Sequence, residues 1–228
     1  NSLVSNKVWE LTLLPKGCKT IGGRWHFVIK YGASGEVVKY RARYVAKGFS
    51  QVFGRDYQET YSPTVKMSTI RCLLASAAQL QCDVSQMDIK TAYLNADMDE
   101  HIYMNQPQGF EQHKGKQTLV CFLKKSLYGL KQSGRNWYFT LSGYLLTNGF
   151  TSCVNDPCLF IKQVEDVYYY VCIWVDDIIY FSTDKNFKLD FRNFNEEKFT
   201  ISDASNLNWF LGMMKVRCVA GRIEISLA

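Results

Sequence analysis

Residues 173–182 read IWVDDIIYFS, a run of apolar and aromatic side chains that is interrupted by two adjacent aspartates, Asp176 and Asp177. The apolar segments on either side have the length and composition of β-strands, so the pair falls where two strands meet. Inside a sheet, neighbouring carboxylates repel each other and lose hydration, whereas at a hairpin turn this cost is small. The pair is therefore interpreted either as turn residues or as ligands of a divalent cation.

A magnesium site would need a further carboxylate, because Mg²⁺ prefers oxygen ligands and is held by protein carboxylates together with substrate phosphates. Asp88 is the candidate, since it lies at the end of a predicted short strand, 84–89. Alone it is typical of a strand-end residue, but three carboxylates set against apolar strands favour a metal site. Tyr93 follows where the chain must turn away, and its ring could cover an incoming sugar or could simply belong to the core.

The charge of the chain is unevenly distributed. The 228 residues have a net charge of +6, and residues 16–66 alone carry ten Lys and Arg against three Asp and Glu. Residues 114–135 carry six basic side chains and no acidic one, while residues 83–100 carry five acidic side chains and one lysine. This pattern predicts a protein that binds a polyanion with one surface and cations at another, and a solvated basic surface is the alternative.

Cysteine usage and hydropathy indicate the compartment. The eight cysteines are scattered without a CxxC pair, and only three histidines accompany them. Reduced thiols in the cytosol or nucleus are therefore expected, rather than a disulfide scaffold or a zinc site. The longest apolar stretch, 167–175, is shorter than the roughly 20 residues of a membrane helix, and the N-terminus lacks a signal-peptide pattern. We expect no membrane partner.

Hydrophobic periodicity predicts an α+β fold, with helices on one face of a mostly antiparallel sheet. Three helices are expected: one capped by Ser68, one running from about Arg135 to Gly149, and one over about 184–198. A basic hairpin is expected near the N-terminus and another hairpin at the end of the chain. The predicted strands are 24–31, 37–46, 84–89, 101–104, 118–123, 158–162, 167–175, 178–182 and the two arms of the last hairpin, 209–218 and 223–227.

Nearly the whole chain resembles the reverse transcriptases of copia-type LTR retrotransposons. The stretches that carry the resemblance are WELTLLPKGCKTIGGRWHFVIK, YRARYVAKGFSQVFGRDYQETYSPTVKMSTIR, QMDIKTAYLNADMDEHIYMNQPQGF, LKKSLYGLKQSGRNWY, DPCLFIK, WVDDII and FLGM. The resemblance implies a right-hand polymerase, with fingers from residues 1–83 and a palm from 84–228, in which residues of about 105–130 return to the fingers. It also implies a fragment that lacks the thumb, RNase H, integrase and protease.

The resemblance assigns the catalytic residues. It implies that Asp88, Asp176 and Asp177 hold two Mg²⁺ ions, for which Mn²⁺ could substitute, and that the backbone carbonyl of Ile89 joins them. Two such metals help to generate the primer 3′-alkoxide, align it with the α-phosphate and stabilise the departing pyrophosphate.

The resemblance also implies residues that bind substrate. Tyr93 would be the steric gate against a ribose 2′-hydroxyl, and Gly129 in LYGLKQ would allow close backbone approach to the nucleotide. The candidates for binding the triphosphate are Lys30, Arg41 and Arg43. The candidates for the primer grip are Phe210, Leu211, Gly212 and Met213.

The implied activity is templated DNA synthesis from dNTPs on an RNA or DNA template-primer, in a cytoplasmic virus-like particle or in the nucleus. A catalytically inactive module that binds nucleic acid or a partner is the alternative. Another palm-fold enzyme, such as a cyclase, would keep the carboxylates but would not explain the basic hairpin. The chain departs from the family pattern at Trp174, at Gly134 and at the DAS of residues 203–205. These departures put the fine geometry of the site in doubt but leave the metal assignment intact.

Overall fold

The structure is a computed structural model that describes residues 2–31, 34–206, 209–210, 214–219 and 222–227, with side chains described up to residue 201. The chain divides into two compact units, each built from two separate segments. The first unit comprises Asn1–Tyr61 and Tyr93–Trp137, and the second comprises Ser62–Ala92 and Tyr138–Ala228.

The described helices and strands follow one another along the chain with short connections. The helices are α1 (Ser2–Ser5), α2 (Met67–Gln79), α3 (Ser133–Thr147) and α4 (Phe187–Glu196), with 3-10 turns at Gly48–Ser50 and Ala92–Asn95. The strands are β1 (Trp9–Thr12), β2 (Thr20–Ile21), β3 (Gly23–Tyr31), β4 (Val37–Ala46), β5 (Ser85–Ile89), β6 (Tyr103–Met104), β7 (His113–Lys114), β8 (Gln117–Thr118), β9 (Val120–Leu123), β10 (Thr151–Cys153), β11 (Asp156–Val164), β12 (Val167–Trp174), β13 (Asp177–Ser182), β14 (Ile201–Asn206), β15 (Trp209–Phe210), β16 (Met214–Val219) and β17 (Arg222–Leu227).

The first unit contains a four-stranded sheet in the order β1-β9-β6-β2 and the long hairpin β3–β4. The pairing is antiparallel except for β2 with β6, which is parallel. Its core is a cluster of buried side chains from both segments of the unit: Val8, Ile21, Tyr44, Ala46, Leu94, Ile102, Met104, Cys121, Leu123, Leu127 and Leu130. Most side chains in the distal half of the β3–β4 hairpin are exposed.

The second unit contains an antiparallel six-stranded sheet in the order β10-β11-β12-β13-β5-β14. Helix α4 packs on one face of this sheet, where the ring of Phe191 lies 4.9 Å from that of Tyr180 on β13. Side chains alternate between the faces of a strand, so Asp177 and Asp88 lie on the face opposite to Tyr180. Tyr144 of α3 stacks on Phe194 of α4 with ring centroids 4.5 Å apart.

The predicted elements are largely confirmed. The basic hairpin, the short strand with Asp88 and the strands on both sides of the aspartate pair lie where the periodicity placed them. The predicted cap of α2 was wrong: the helix begins at Met67, before Ser68, and its N-cap Lys66 makes no side-chain cap. The buried carboxylate of Asp156 instead accepts a hydrogen bond of 2.9 Å from the Lys66 amide. A local pattern cannot reveal this partner, because it comes from a distant strand.

The predicted division into fingers (1–83) and palm (84–228) stays a prediction, and the two compact units are drawn differently. Helix α2 belongs to the second unit, and residues 93–137 belong to the first, a longer segment than the predicted 105–130. The names fingers and palm remain predictions for these parts of the chain. None of the helices in the described ranges is both long enough and apolar enough to cross a membrane.

Candidate active site and nucleotide-binding residues

The aspartate pair sits at a strained hairpin turn. Strands β12 and β13 are closed by the pair Trp174 and Asp177, which leaves only Val175 and Asp176 in the turn. Val175 has a φ of +55°, which is uncommon for a β-branched residue and costs on the order of 1–3 kcal/mol. The strands on both sides hold the turn in this conformation. The position of Asp176 is therefore fixed by the sheet.

Strand β5 brings Asp88 to this turn. Asp88 and Asp177 are directly opposite each other in the antiparallel pairing of β5 with β13, an arrangement with Cα atoms about 4.5–5.5 Å apart and both side chains on one face. The Ile89 amide donates a hydrogen bond of 3.0 Å to the carbonyl oxygen of Asp176. The register of the sheet thus gathers three aspartates that are distant in sequence.

The pKa of Asp177 is raised by its surroundings. Burial, together with the neighbouring charges of Asp176 and Asp88, raises the pKa of Asp177 from its ordinary 3.8 to about 6. The raised pKa means that the ionised form of this carboxyl is disfavoured here, and a nearby positive charge would offset that cost. The site is therefore electrostatically prepared to bind a cation.

The fit to a metal can be judged from the donor set. Carboxylate oxygens are the ligands that Mg²⁺ prefers. The backbone register places three aspartate residues close together. In the part of the chain that the structure describes, no three His, Cys, Asp or Glu side chains are already arranged as metal ligands. The donor chemistry and the backbone placement fit a divalent cation, and the carboxylates would have to turn toward it on binding.

A fourth acidic residue lies beside this group. Asp203 on β14 is opposite Asp88 on the other edge of β5, and the sequence pattern assigned it no role. Its only signal in the sequence is the departure DAS at residues 203–205. The primer-grip candidates are not tested: Phe210 ends strand β15, and Leu211, Gly212 and Met213 lie outside the described residues.

In the first unit, the three predicted triphosphate ligands share one face of the β3–β4 hairpin. Lys30 is opposite Lys39, and Arg41 and Arg43 follow at alternate positions of β4, so their side chains project from the same side. Within the described residues, Lys30, Arg41 and Arg43 form no ion pair. Like charges opposite each other are destabilising, and an anion on this face would relieve that repulsion.

Tyr93 is part of a cluster that the sequence did not reveal. Its ring centroid lies 4.6 Å from that of Tyr128, and the Arg43 guanidinium carbon lies 5.1 Å from the Tyr128 centroid. Two predicted nucleotide-binding residues are thus connected through Tyr128. The signal that could have identified it is the aromatic residue in LYGLKQ, directly before Gly129.

Gly129 has a structural role in addition to any role with nucleotide. Its φ is +93°, and a Cβ atom there would collide with the Ala46 carbonyl oxygen and lie 2.7 Å from Cγ1 of Val45. Only glycine fits, because the backbone passes directly against strand β4. The predicted approach to the nucleotide remains a prediction.

Sequence comparison identifies the family. The profile described as reverse transcriptase (RNA-dependent DNA polymerase) matches residues 6–228, and the chain belongs to this family. Within it, the chain is 39% identical over 217 residues to the retrovirus-related Pol polyprotein from transposon TNT 1-94 of Nicotiana tabacum, covering 95% of this chain and 16% of the polyprotein. It is 38% identical over 222 residues to the corresponding protein from transposon RE1 of Arabidopsis thaliana, covering 97% and 15%.

More distant relatives include the transposon Ty1-ER2 Gag-Pol polyprotein of Saccharomyces cerevisiae, 37% identical over 153 residues, or 64% of this chain and 8% of the polyprotein. The chain therefore spans only a small part of these copia-type relatives. Among solved structures, apo telomerase from Candida tropicalis matches with a TM-score of 0.48 and 9% identity over 99% of this chain and 58% of that one. A foamy viral protease-reverse transcriptase in complex with double-stranded DNA matches with a TM-score of 0.42 and 13% identity. That match covers 92% of this chain and 31% of the viral one. Both TM-scores are below 0.5, so neither likeness supports a conclusion.

Proposed function

We propose that this chain is the polymerising core of a reverse transcriptase, which extends a DNA primer on an RNA or DNA template. The observation that carries the proposal is the sheet register that brings Asp88 opposite Asp177 and pins the Asp176 turn to β5. A solvated turn would need no acidic partner from another strand. Membership of the reverse transcriptase family supports the same activity.

The three aspartates would hold two Mg²⁺ ions, or Mn²⁺ in their place, with the Ile89 carbonyl as a further ligand. When bound, such ions supply positive charge that favours ionisation of the primer 3′-hydroxyl and offsets charge on the leaving pyrophosphate. The protein's own contribution is to hold the ligands in place. The strained turn fixes the position of Asp176, and strand β5 fixes the position of Asp88. Because Asp177 is half-buried beside Asp176 and Asp88, a bound cation would stabilise its ionised form.

The substrate residues of the first unit complete the proposal. Lys30, Arg41 and Arg43 would bind the triphosphate of the incoming dNTP, because a polyanion needs several cations on one face. Tyr93 would exclude the ribose 2′-hydroxyl. Gly129 would lie close to the nucleotide, and the primer grip would fall at residues 210–213. On the resemblance alone, the chain would act in a cytoplasmic virus-like particle or in the nucleus.

Primer extension tests the proposal. With primed RNA and primed DNA templates, dNTPs and Mg²⁺, the parent should elongate both primers, and Asp176→Asn should reduce the rate by about a hundredfold or more. Asp166→Asn is a matched control, because Asp166 is the second residue of the neighbouring two-residue turn, after Glu165 with its φ of +54°. Equal rates for Asp176→Asn and Asp166→Asn would show that the assigned site is wrong.

A binding module without activity is the second candidate. The observation in its favour is that, among the described residues, no three His, Cys, Asp or Glu side chains are grouped as metal ligands. Such a module would bind template-primer with an affinity that falls steeply as salt rises, but would not elongate it. Binding by the parent with no extension in Mg²⁺ or Mn²⁺ would support this candidate over the polymerase.

A further inference from the structure

We propose that Tyr128 is a positioning residue for Tyr93, and that Arg43 supports it from strand β4. The inference deepens the proposed function, since it rests on the assignment of Tyr93 as the gate that selects the sugar. All three residues belong to the first unit. Tyr128 would touch no substrate itself and would act by restricting where the Tyr93 ring can lie.

The side-chain contacts place Tyr128 between the other two residues. The tilted pair of Tyr93 and Tyr128 has ring centroids 4.6 Å apart, within the range of favourable aromatic contacts. The Arg43 guanidinium carbon lies 5.1 Å from the Tyr128 centroid, within the range of a cation–π interaction. All three side chains are half-buried. Movement of Tyr128 is therefore opposed by its neighbours on two sides.

The backbone holds Tyr128 to the strand that carries Arg43. The Ala46 amide donates a hydrogen bond of 2.8 Å to the carbonyl oxygen of Tyr128. The next residue, Gly129, is packed so tightly on Ala46 that a Cβ atom would collide with its carbonyl oxygen. The segment that presents the Tyr128 ring is thus fixed to β4 by its main chain, independently of the ring contacts.

The backbone of Tyr93 is connected to the same segment. The Ala96 amide donates a hydrogen bond of 3.1 Å to the Tyr93 carbonyl, and the Ala96 carbonyl accepts one of 2.8 Å from the Ser126 amide. The backbones that carry the two rings are therefore fixed by hydrogen bonds, and the rings also contact each other. A gate must keep its place to reject one oxygen atom, because a shift of about 1 Å would admit it. Tyr128 supplies the contact that prevents such a shift.

Sugar selectivity tests the inference in the 228-residue chain. The measured quantity is the ratio of kcat/KM for a dNTP to that for the matching ribonucleotide. Tyr128→Leu, which removes the ring, should lower this ratio roughly three- to tenfold, while Tyr128→Phe should keep it within about twofold because the ring stays. Tyr103→Leu is the control, since Tyr103 stacks on Phe122 in the same unit. A general loss of folding would lower both rates and leave the ratio unchanged.

Variants of Arg43 provide a second test of the inference. Loss of a triphosphate contact affects deoxynucleotides and ribonucleotides alike, so it cancels in the ratio. If Arg43 supports Tyr128, Arg43→Gln should lower the ratio, and the double variant Arg43→Gln/Tyr128→Leu should be no less selective than Tyr128→Leu alone. Full additivity of the two effects would contradict the role given to Arg43.

An aromatic NMR measurement separates this inference from the proposed function. The Tyr128 ring should shift the ring resonances of Tyr93, and Tyr128→Leu should remove that shift while Tyr128→Phe keeps it. Unchanged Tyr93 resonances in Tyr128→Leu would overturn the inference whether or not the chain extends primers. If Tyr93→Val loses selectivity but Tyr128→Leu retains it, the gate stands and the positioning role is wrong.

Discussion

Asp177 shows how the carboxylate group works at the scale of single residues. Its side chain is half-buried beside two other carboxylates, and its pKa rises to about 6 as a result. The neighbours that face it are Asp176 in the turn and Asp88 on the adjacent strand. The sequence could predict that these residues belong together only through the resemblance, because local patterns do not contain the register of strands that are far apart in the chain.

The raised pKa gives a prediction about stability. Because the pKa of Asp177 is higher in the folded than in the unfolded chain, its favourable contribution is full below the unfolded value near 3.8 and is lost as pH rises through about 6. Without divalent cations, Asp177→Asn should therefore unfold at a temperature about 2–4 °C higher than the parent at pH 7.5. The difference should shrink at pH 4, where the parent is protonated.

Thermal unfolding with a chelator present measures this difference, and Asp166→Asn serves as the control for loss of one exposed carboxylate. Addition of Mg²⁺ should stabilise the parent more than Asp177→Asn, because only the parent has the full set of carboxylates. A parent that is more stable than Asp177→Asn at pH 7.5 without metal would show that Asp177 has a favourable partner instead of a repulsive one.

At the scale of elements, strand β4 connects the hairpin to the segment around Gly129. The Gly129 backbone has a φ of +93° and passes against Ala46. Gly109 has a similar φ of +87° but has open space where a Cβ would lie. A comparison of alanine substitutions at Gly109 and Gly129 therefore separates the cost of the backbone conformation from the cost of a Cβ collision with strand β4.

We expect Gly109→Ala to cost about 1–2 kcal/mol of unfolding free energy through its backbone conformation alone. Gly129→Ala should cost roughly 1–3 kcal/mol more, because the strand must also move to admit the methyl group. Urea denaturation measures both values. Equal costs for the two substitutions would mean that the approach of Gly129 to β4 is looser than described.

Elements with a strong local pattern were the predictable part of this fold. The amphipathic alternation of β3 and β4 and the aromatic spacing of α4 determine their own secondary structure. The N-terminus of α2 was not predictable, because Asp156 reaches it from strand β11. Tyr128 was missed for the same reason, since its contacts with Arg43 and Tyr93 arise only when distant segments pack together.

At the scale of the whole molecule, the chain forms two compact units, and each is built from two separate segments. A chain that leaves a unit and returns to it carries no compositional sign of doing so, and no linker marks the three crossings at 61–62, 92–93 and 137–138. The charge pattern is more informative, because five of the ten basic residues in 16–66 lie on the two strands of the β3–β4 hairpin, which carry no acidic residue.

Salt dependence of template-primer binding tests the role of this charge. Each phosphate contact that is lost should reduce the slope of log K against log salt by about 0.9 for duplex DNA. Arg24→Gln/Lys39→Gln, which changes two exposed hairpin residues that have no role with the dNTP, should therefore reduce the slope by up to about 1.8. The control Lys185→Gln/Lys188→Gln removes the same charge from two exposed positions, one just before α4 and one within it, and should leave the slope near the parental value. Equal slopes for both double variants would indicate nonspecific attraction to net charge.

The most direct test of the central claim is a Mn²⁺ titration of the chain followed by electron paramagnetic resonance. If the three aspartates share a cation, the parent should bind Mn²⁺, and Asp88→Asn and Asp177→Asn should each weaken binding by about tenfold or more, a loss comparable to that caused by altering a metal's surroundings. Asp166→Asn should bind like the parent. Parental binding by Asp88→Asn would contradict the account, because a site that does not need Asp88 is not the one that the sheet register assembles.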